Sequence, residues 1–288
     1  MHGSHVAVEF AIALLGGAVA VLLGRRELHT AAAGWASGLF GIAAVVAYIQ
    51  IFRRLPPLIG MSDRVVSEVW EFVVIPFVIA CGSWPWIYVS LVHHDGLRLW
   101  SAMVLASTLM LCAMPTGEMY SDVVPGNALW TLTAVFAVGL NTLAGHHMDH
   151  AGASRWSLWA FVAQLFTVTA LAMTCYGTLG DWCGLIAMTL GVIACSRAIL
   201  SIGHWAGNLG LLATTLACLM ASQLRIYSAH ALPMWLAPVP MFLPAIVCAA
   251  DLLVRRRSPS IRVLLSAVVA VAGAAITILW ALRSTQRL

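Results

Sequence analysis

Long apolar runs separated by short polar breaks fill this chain from one end to the other. A helix of about 20 residues is about 30 Å long, which matches the thickness of the hydrocarbon core of a bilayer. The pattern therefore predicts an all-α fold, a polytopic transmembrane helical bundle of about ten spans with short loops. The predicted spans are 7–24, 31–52, 69–92, 99–117, 127–145, 157–177, 182–204, 209–228, 232–253 and 261–282.

The runs leave no space for a soluble domain or a long linker, so we interpret residues 1–288 as a single integral-membrane helical domain. The first run follows no positively charged stretch and precedes no small-residue cleavage site, which predicts a retained span and not a signal peptide. The ninth run differs because Pro233, Pro238, Pro240 and Pro244 crowd its first half. Proline removes a helical hydrogen bond, so we expect a kinked, broken or partly re-entrant helix there.

Composition agrees with a membrane location. Hydrophobic residues make up 61% of the 288 positions and charged residues only 9%, whereas soluble domains have about 45–50% and about 25%. All 15 basic residues are arginine. The absence of lysine excludes chemistry that needs a lysine amine, such as a retinal Schiff base or a Walker-type phosphate loop. The expected surrounding is the lipid bilayer, and no nucleic-acid partner is expected.

The arginines also predict an orientation. With ten spans both termini lie on one face, the first face, and the opposite second face carries the larger share of arginine. Cytoplasmic loops are enriched in positive charge, so the second face is predicted to be cytoplasmic and the termini outside, in a bacterial cytoplasmic membrane. At the second face, Asp251 precedes Arg255, Arg256 and Arg257 and is expected to pair with them.

The seventh run contains the polar side chain that is most costly to place in a membrane. Arg197, Ser201, His204 and Asn208 recur at helical spacing, so one face of a buried helix would be polar. An arginine inside a span costs about 2.5–3.5 kcal/mol on insertion scales and must therefore face protein or water. We interpret Arg197 and His204 as candidate catalytic residues, with Arg197 holding an anionic group of the substrate.

Seven of the ten histidines lie on the second face. Imidazole is the commonest metal ligand, and His146 or His147 could clamp one ion together with His150, while Asp149 orients a ligand. This predicts a transition metal (Zn, Cu or Fe) or a b-type haem at the cytoplasmic helix ends. The alternative is that histidine replaces the missing lysine as an interfacial polar residue. The predicted metal ligands are His93, His94, His146, His147, His150 and His204.

Carboxylates concentrate on the first face. Glu71 lies about one turn inside the third run, where burial disfavours its charge, so it is a candidate catalytic proton carrier or a partner for Arg225. Asn141 and Thr214, deep in the fifth and eighth runs, indicate together with Arg197 a polar cavity inside the bundle. The alternatives are a solvated acidic rim for the carboxylates and ordinary interhelical hydrogen bonds for the amide and hydroxyl groups.

Three classes of function fit these features. The first is a metal-dependent or redox membrane protein that acts on a small or lipid-like anionic substrate. The second is a proton-coupled secondary transporter with a five-plus-five organisation of spans, Glu71 as proton carrier and the proline-rich ninth run as its broken helix. The third is a non-catalytic membrane subunit or assembly factor. The histidine asymmetry narrowly favours the first class, and whether the protein is an enzyme and which oligomer it forms stay open.

Overall fold

The computed structural model describes residues 29–53, 55–56, 74–91, 94–112, 124–150, 156–175, 177–200, 206–227 and 238–285. In this part of the chain the fold is all-α, with nine helices and no strand. The first apolar run, at 7–24, lies outside the described residues. The helices are α1 (His29–Phe52), α2 (Val74–Ser90), α3 (Asp95–Cys112), α4 (Val124–His150), α5 (Ser157–Cys175), α6 (Gly177–Leu200), α7 (Ala206–Tyr227), α8 (Pro238–Leu253) and α9 (Pro259–Thr285).

Three of these helices are long and apolar enough to cross a membrane. They contain the stretches Ser157–Thr174 in α5, Gly177–Ala198 in α6 and Pro259–Trp280 in α9. Shorter apolar stretches of 10–17 residues lie in α1, α2, α3, α7 and α8. The helical fold class is therefore confirmed, together with three helices that have the length and composition of membrane spans.

Helix α7 lies at the centre of the described helices. It packs against six helices, α1, α2, α3, α4, α5 and α8. The surrounding helices form a closed ring in which each packs against the next, in the order α1, α2, α3, α4, α8, α5, α6 and back to α1. Every residue from 209 to 222 is buried as a result. Gly210 permits a close approach of α5, because a Cβ at this position would come within 2.5 Å of the Phe161 ring. Among the described helices, α7 is therefore enclosed by its neighbours over about four turns.

Helix α9 lies outside this ring and packs against α5 and α8. Only 11% of its stretch Pro259–Trp280 is buried, compared with 67% of the corresponding stretches in α5 and α6. Its exposed side chains are nevertheless apolar, and include Leu264, Val268, Ile276 and Leu279. A continuous apolar surface of this kind is typical of a site that contacts lipid or another protein.

The proline-rich ninth run forms helix α8, which begins at Pro238 and continues through Pro244 to Leu253. Pro238 and Pro240 lie in the first turn, where an N–H group would have no helical acceptor in any case. Pro244 lies inside the helix, and its missing N–H leaves the carbonyl of Pro240 without its usual donor. In the described residues this run is therefore a continuous helix, and the expected kink or break is limited to one missing backbone hydrogen bond at Pro244, which we call the interruption. Pro233 lies outside the described residues.

Candidate functional site

Arg197 is buried and forms an ion pair with Asp149. Its Nη2 lies 2.7 Å from Oδ1 of Asp149, and both side chains are 1% exposed. Its Nη1 donates to Oγ of Ser157 at 2.8 Å, and this hydroxyl donates to the same Asp149 oxygen at 3.0 Å. The three side chains close a ring of hydrogen bonds in which the charge of Arg197 is neutralised within the protein.

Three helix ends bring this ring together. Asp149 is the last but one residue of α4, Ser157 begins α5, and Arg197 lies in the last turn of α6. Helices joined by short connections run in opposite directions, so the end of α4, the start of α5 and the end of α6 meet at one end of the bundle. This end corresponds to the second face of the sequence-based topology.

The pairing changes what can be expected of Arg197. Asp149 is the partner that a buried arginine requires. The sequence had predicted another role for Asp149, that of orienting a metal-binding histidine. A substrate anion would reach the guanidinium only by displacing this carboxylate. The catalytic or anion-binding role of Arg197 stays a prediction.

A second ion pair joins α8 to α9. Arg262 donates from Nε to Oδ1 of Asp251 at 2.8 Å and from Nη2 to Oδ2, so the contact is bidentate. The expectation that Asp251 pairs with Arg255, Arg256 and Arg257 is therefore wrong. Because α8 ends two residues after Asp251 and the chain turns back, the first turn of α9 returns Arg262 to the carboxylate, while the three turn arginines are exposed.

A cleft of about 540 Å³ lies between α4, α5, α8 and α9. Ser157, Asp251 and Arg262 line it at one end. The Asp251–Arg262 pair therefore borders the cleft directly, whereas the Arg197–Asp149 pair lies behind Ser157, to which Arg197 donates. Along α9 the lining extends from Pro259 to Val271, three turns or about 18 Å of helix. The cleft therefore has a polar end and a longer, apolar body.

The apolar body is lined by small and aromatic side chains, among them Trp159, Ala163 and Ala267. Trp156 and Val271, which also line the cleft, are 49% and 67% exposed. These two residues lie at the rim. The cleft consequently opens toward the outer surface of the bundle, beside the exposed apolar face of α9.

A buried amide compensates the interruption of α8 at Pro244. Gln164, in α5, is fully buried and donates from Nε2 to the carbonyl of Pro240 at 3.0 Å. The same nitrogen lies 2.8 Å from the carbonyl of Met241. Gln164 thus supplies, from a neighbouring helix, the donor that Pro244 cannot provide.

Asn141, in α4, is hydrogen-bonded to the next residues of the same interruption. Its Nδ2 donates to the carbonyl of Met241 at 2.7 Å, and its Oδ1 accepts from the backbone N–H of Ala245 at 2.9 Å. Thr214 of α7 completes the cluster, because its hydroxyl donates to Oε1 of Gln164 at 3.0 Å and accepts from Asn141 at 3.2 Å. Side chains of α4 and α5 therefore hold the interruption, and Thr214 of α7 links the two.

The described histidines do not form a metal-binding group. His94 is exposed just before α3, and His146 and His147 are half-buried near the end of α4. Nδ1 of His146 lies 3.3 Å from Nη1 of Arg98, and a guanidinium at this distance repels a metal cation. Within the described ranges, no three His, Cys, Asp or Glu side chains are placed to hold an ion. His146 therefore fits the part of a metal ligand poorly.

The other predicted site residues cannot be placed relative to this arrangement. Glu71, His93 and His204 lie outside the described residues. His150 is the last residue of α4, and its side chain is also outside them. The metal or haem site at the cytoplasmic helix ends and the proton-carrier role of Glu71 therefore stay predictions.

Sequence reasoning missed Gln164 and the partners of both paired arginines. Gln164 is the only side-chain amide in the sixth apolar run, and the argument that identified Asn141 in the fifth run applies to it equally. The partner of Arg197 had a weaker signal, namely that Asp149 and Arg197 both lie near run ends on the second face. No signal in the sequence singled out Arg262 as the partner of Asp251, because four arginines follow Asp251 within eleven residues.

The chain matches no protein-family model, no curated protein and no solved structure. Its function is therefore to be inferred from the chemistry of the site itself. In the described part of the chain, the cleft with the Asp251–Arg262 pair at its polar end and the amide cluster around Pro244 carry this chemistry.

Proposed function

We propose that the protein is a multi-pass integral membrane protein of about ten spans that binds a lipid-like molecule in the cleft between α4, α5, α8 and α9. The observation that carries this proposal is the polarity of the cleft, whose apolar body leads to an end lined by Ser157 and the Asp251–Arg262 ion pair. An amphiphile has the same arrangement of an apolar chain and a polar headgroup. Its chain gains free energy by leaving water for such a surface.

The dimensions of the cleft support this ligand. A volume of about 540 Å³ lies within the range of about 300–1,000 Å³ that is usual for small-molecule sites. The length along α9, about 18 Å, is about three-fifths of the 30 Å hydrocarbon core. With the polar end on the second face, the headgroup lies at the level of the cytoplasmic leaflet of a bacterial cytoplasmic membrane, and the chain extends toward the bilayer centre.

The opening of the cleft supports access from the bilayer. Its rim residues Trp156 and Val271 adjoin the outer surface of α9, which is apolar and exposed. A lipid that diffuses in the membrane can therefore enter sideways, with its chain in apolar surroundings throughout. This path requires no unpaired charge to cross the hydrocarbon, because Arg262 and Arg197 each have a carboxylate partner.

Filling the cleft is expected to prevent binding. Ala267 lines the cleft, whereas the next residue of α9, Val268, does not and is 54% exposed. We expect Ala267→Trp to weaken the binding of a fluorescent acyl-chain probe by about tenfold or more, because an indole displaces two or more methylene groups worth about 0.8 kcal/mol each. Val268→Trp should bind as the wild type does. Fluorescence titration of the detergent-purified protein measures both, and equal binding by the two variants would refute the proposal.

The interruption of α8 favours a second candidate, a secondary transporter. Discontinuous helices inside a bundle form the substrate sites of many transporters and allow part of the bundle to move. Here the interruption lies between α4, α5 and α7, but Asn141 and Gln164 are hydrogen-bonded to the backbone of α8 and are linked to each other through Thr214. Proton-coupled uptake into proteoliposomes that is lost in Asn141→Leu would support the transporter. Lipid binding without any uptake above that of empty vesicles would exclude it.

A further inference from the structure

The turn between α8 and α9 presents three consecutive arginines, Arg255, Arg256 and Arg257, which we call the arginine turn. All three side chains are exposed. Backbone hydrogen bonds hold the turn, since the N–H of Arg255 donates to the carbonyl of Leu252 at 3.2 Å and that of Arg257 to the carbonyl of Val254 at 2.8 Å. The arginine turn is thus a structured corner of the fold, with its charges held at one place.

The charge of this corner is not balanced by a carboxylate of the described residues. Asp251, the acidic residue nearest in sequence, gives both of its oxygens to Arg262. Asp149 is buried against Arg197. No ion pair joins the arginine turn to any residue that the structure describes. Its three positive charges are therefore available to an external anion.

The arginine turn adjoins the polar end of the cleft. Pro259, two residues after Arg257, lines the cleft, and Arg262 in the first turn of α9 does so too. Two residues of chain span at most about 7 Å. A headgroup at the polar end of the cleft therefore lies beside the arginine turn. Among the described arginines at this end, Arg262 and Arg197 are neutralised by carboxylates, whereas the arginine turn has no ion-pair partner.

We propose that the arginine turn binds the headgroup of the lipid whose chain occupies the cleft, so that the ligand is an anionic phospholipid of the cytoplasmic leaflet. This inference rests on the proposed function and adds the charge and chemistry of the ligand. Guanidinium groups bind phosphate oxygens in bidentate geometry and keep their charge at any physiological pH. Free phosphate has the same chemistry, but the continuity of the arginine turn with an apolar cleft favours the lipid.

The test compares two fluorescent lipids, an anionic phosphatidylglycerol and a zwitterionic phosphatidylcholine with the same chains, on the full-length protein in detergent at low ionic strength. Juxtamembrane arginines raise the affinity for anionic lipid by roughly fivefold each. The triple variant Arg255→Gln, Arg256→Gln, Arg257→Gln should therefore bind the anionic lipid about 100-fold more weakly and the zwitterionic lipid unchanged. In the wild type, about 1 M salt should remove the preference for the anionic lipid, because it screens exposed charges.

Arg283→Gln is the matched control, because Arg283 is also exposed and lies near the other end of α9. It should bind both lipids as the wild type does. A loss of about fivefold in this variant, the share expected of one arginine of the turn, would mean that only net charge matters and would overturn the inference. Complete displacement of the anionic lipid by millimolar inorganic phosphate would overturn it too, because the arginine turn would then be a site for the free ion.

The cleft variant Ala267→Trp separates this inference from the proposed function. Suppose that Ala267→Trp weakens the binding of both lipids but the triple variant still prefers the anionic lipid as the wild type does. The cleft then binds lipid, and the inference that the arginine turn binds an anionic headgroup is wrong. If Ala267→Trp changes the binding of neither lipid, the proposed function itself fails. Loss of both lipids in Ala267→Trp together with loss of only the anionic lipid in the triple variant supports the two proposals together.

Discussion

Replacing Arg197 with methionine is expected to lower the free energy of unfolding by about 3–5 kcal/mol. The change removes the ion-pair partner of the Asp149 carboxylate, which is 1% exposed, in surroundings of low dielectric. It also removes the donor to Ser157. Folded proteins are stable by only about 5–15 kcal/mol, so the variant should unfold at a clearly lower temperature. Thermal unfolding in detergent, followed by circular dichroism, measures the difference.

The double variant Arg197→Met, Asp149→Leu is expected to recover most of this stability. It removes both charges at once and replaces them by apolar side chains, which is often neutral for a buried pair. Arg255→Met, a change of the same kind at an exposed arginine, is the control and should alter stability by less than about 0.5 kcal/mol. A double variant as unstable as the single one would contradict the explanation by an ion pair.

The double variant also decides between two roles for Arg197. If this side chain holds the anionic group of a substrate, as its position in the seventh run predicted, the double variant loses affinity for the anionic lipid. If it only closes the ring with Asp149 and Ser157, as the pairing indicates, the affinity stays that of the wild type. We expect the second result, because the arginine turn keeps its charge in this variant.

The positions of the helices could be predicted from the sequence, but their arrangement could not. The run at 209–228 became α7, Ala206–Tyr227, and the run at 261–282 lies within α9, Pro259–Thr285. One is surrounded by other helices and the other is largely exposed, yet both are predominantly apolar in sequence. Hydropathy does not distinguish an apolar helix that contacts protein from one that contacts lipid, since both surroundings exclude water.

The candidate site was predictable to the same limited extent. Arg197, Asn141 and Thr214 could be identified because a polar side chain within an apolar run is costly unless it has a partner. The partner of Arg197 was hidden for a physical reason. Hydropathy ends the fifth run at residue 145, whereas α4 continues through the polar residues to His150 and carries Asp149 with it. The continuation of a helix through polar residues depends on tertiary contacts, in this case the ring with Arg197 and Ser157.

The interruption of α8 yields the second large effect. Gln164→Met keeps the volume of the side chain but leaves the carbonyl of Pro240 without a donor, because Pro244 has no N–H to supply. An unsatisfied buried polar group costs about 1–3 kcal/mol, and we expect thermal unfolding of this variant to show a loss of that size. Pro244→Ala restores the missing N–H, so in that background the same Gln164→Met change should cost at least about 1 kcal/mol less.

Thr167→Val is the control for this double-mutant cycle of Gln164 and Pro244. Thr167 is also buried in α5, but its hydroxyl donates to the carbonyl of Ala163 within the same helix. Its cost should be the same with and without Pro244. Additive costs for Gln164→Met and Pro244→Ala would show that Gln164 does not serve the interruption. A strong coupling between the two substitutions would instead mean that α8 cannot shift relative to α5 without leaving the carbonyl of Pro240 without a donor. This loss places a free-energy barrier on any transport cycle that uses the interruption as a hinge.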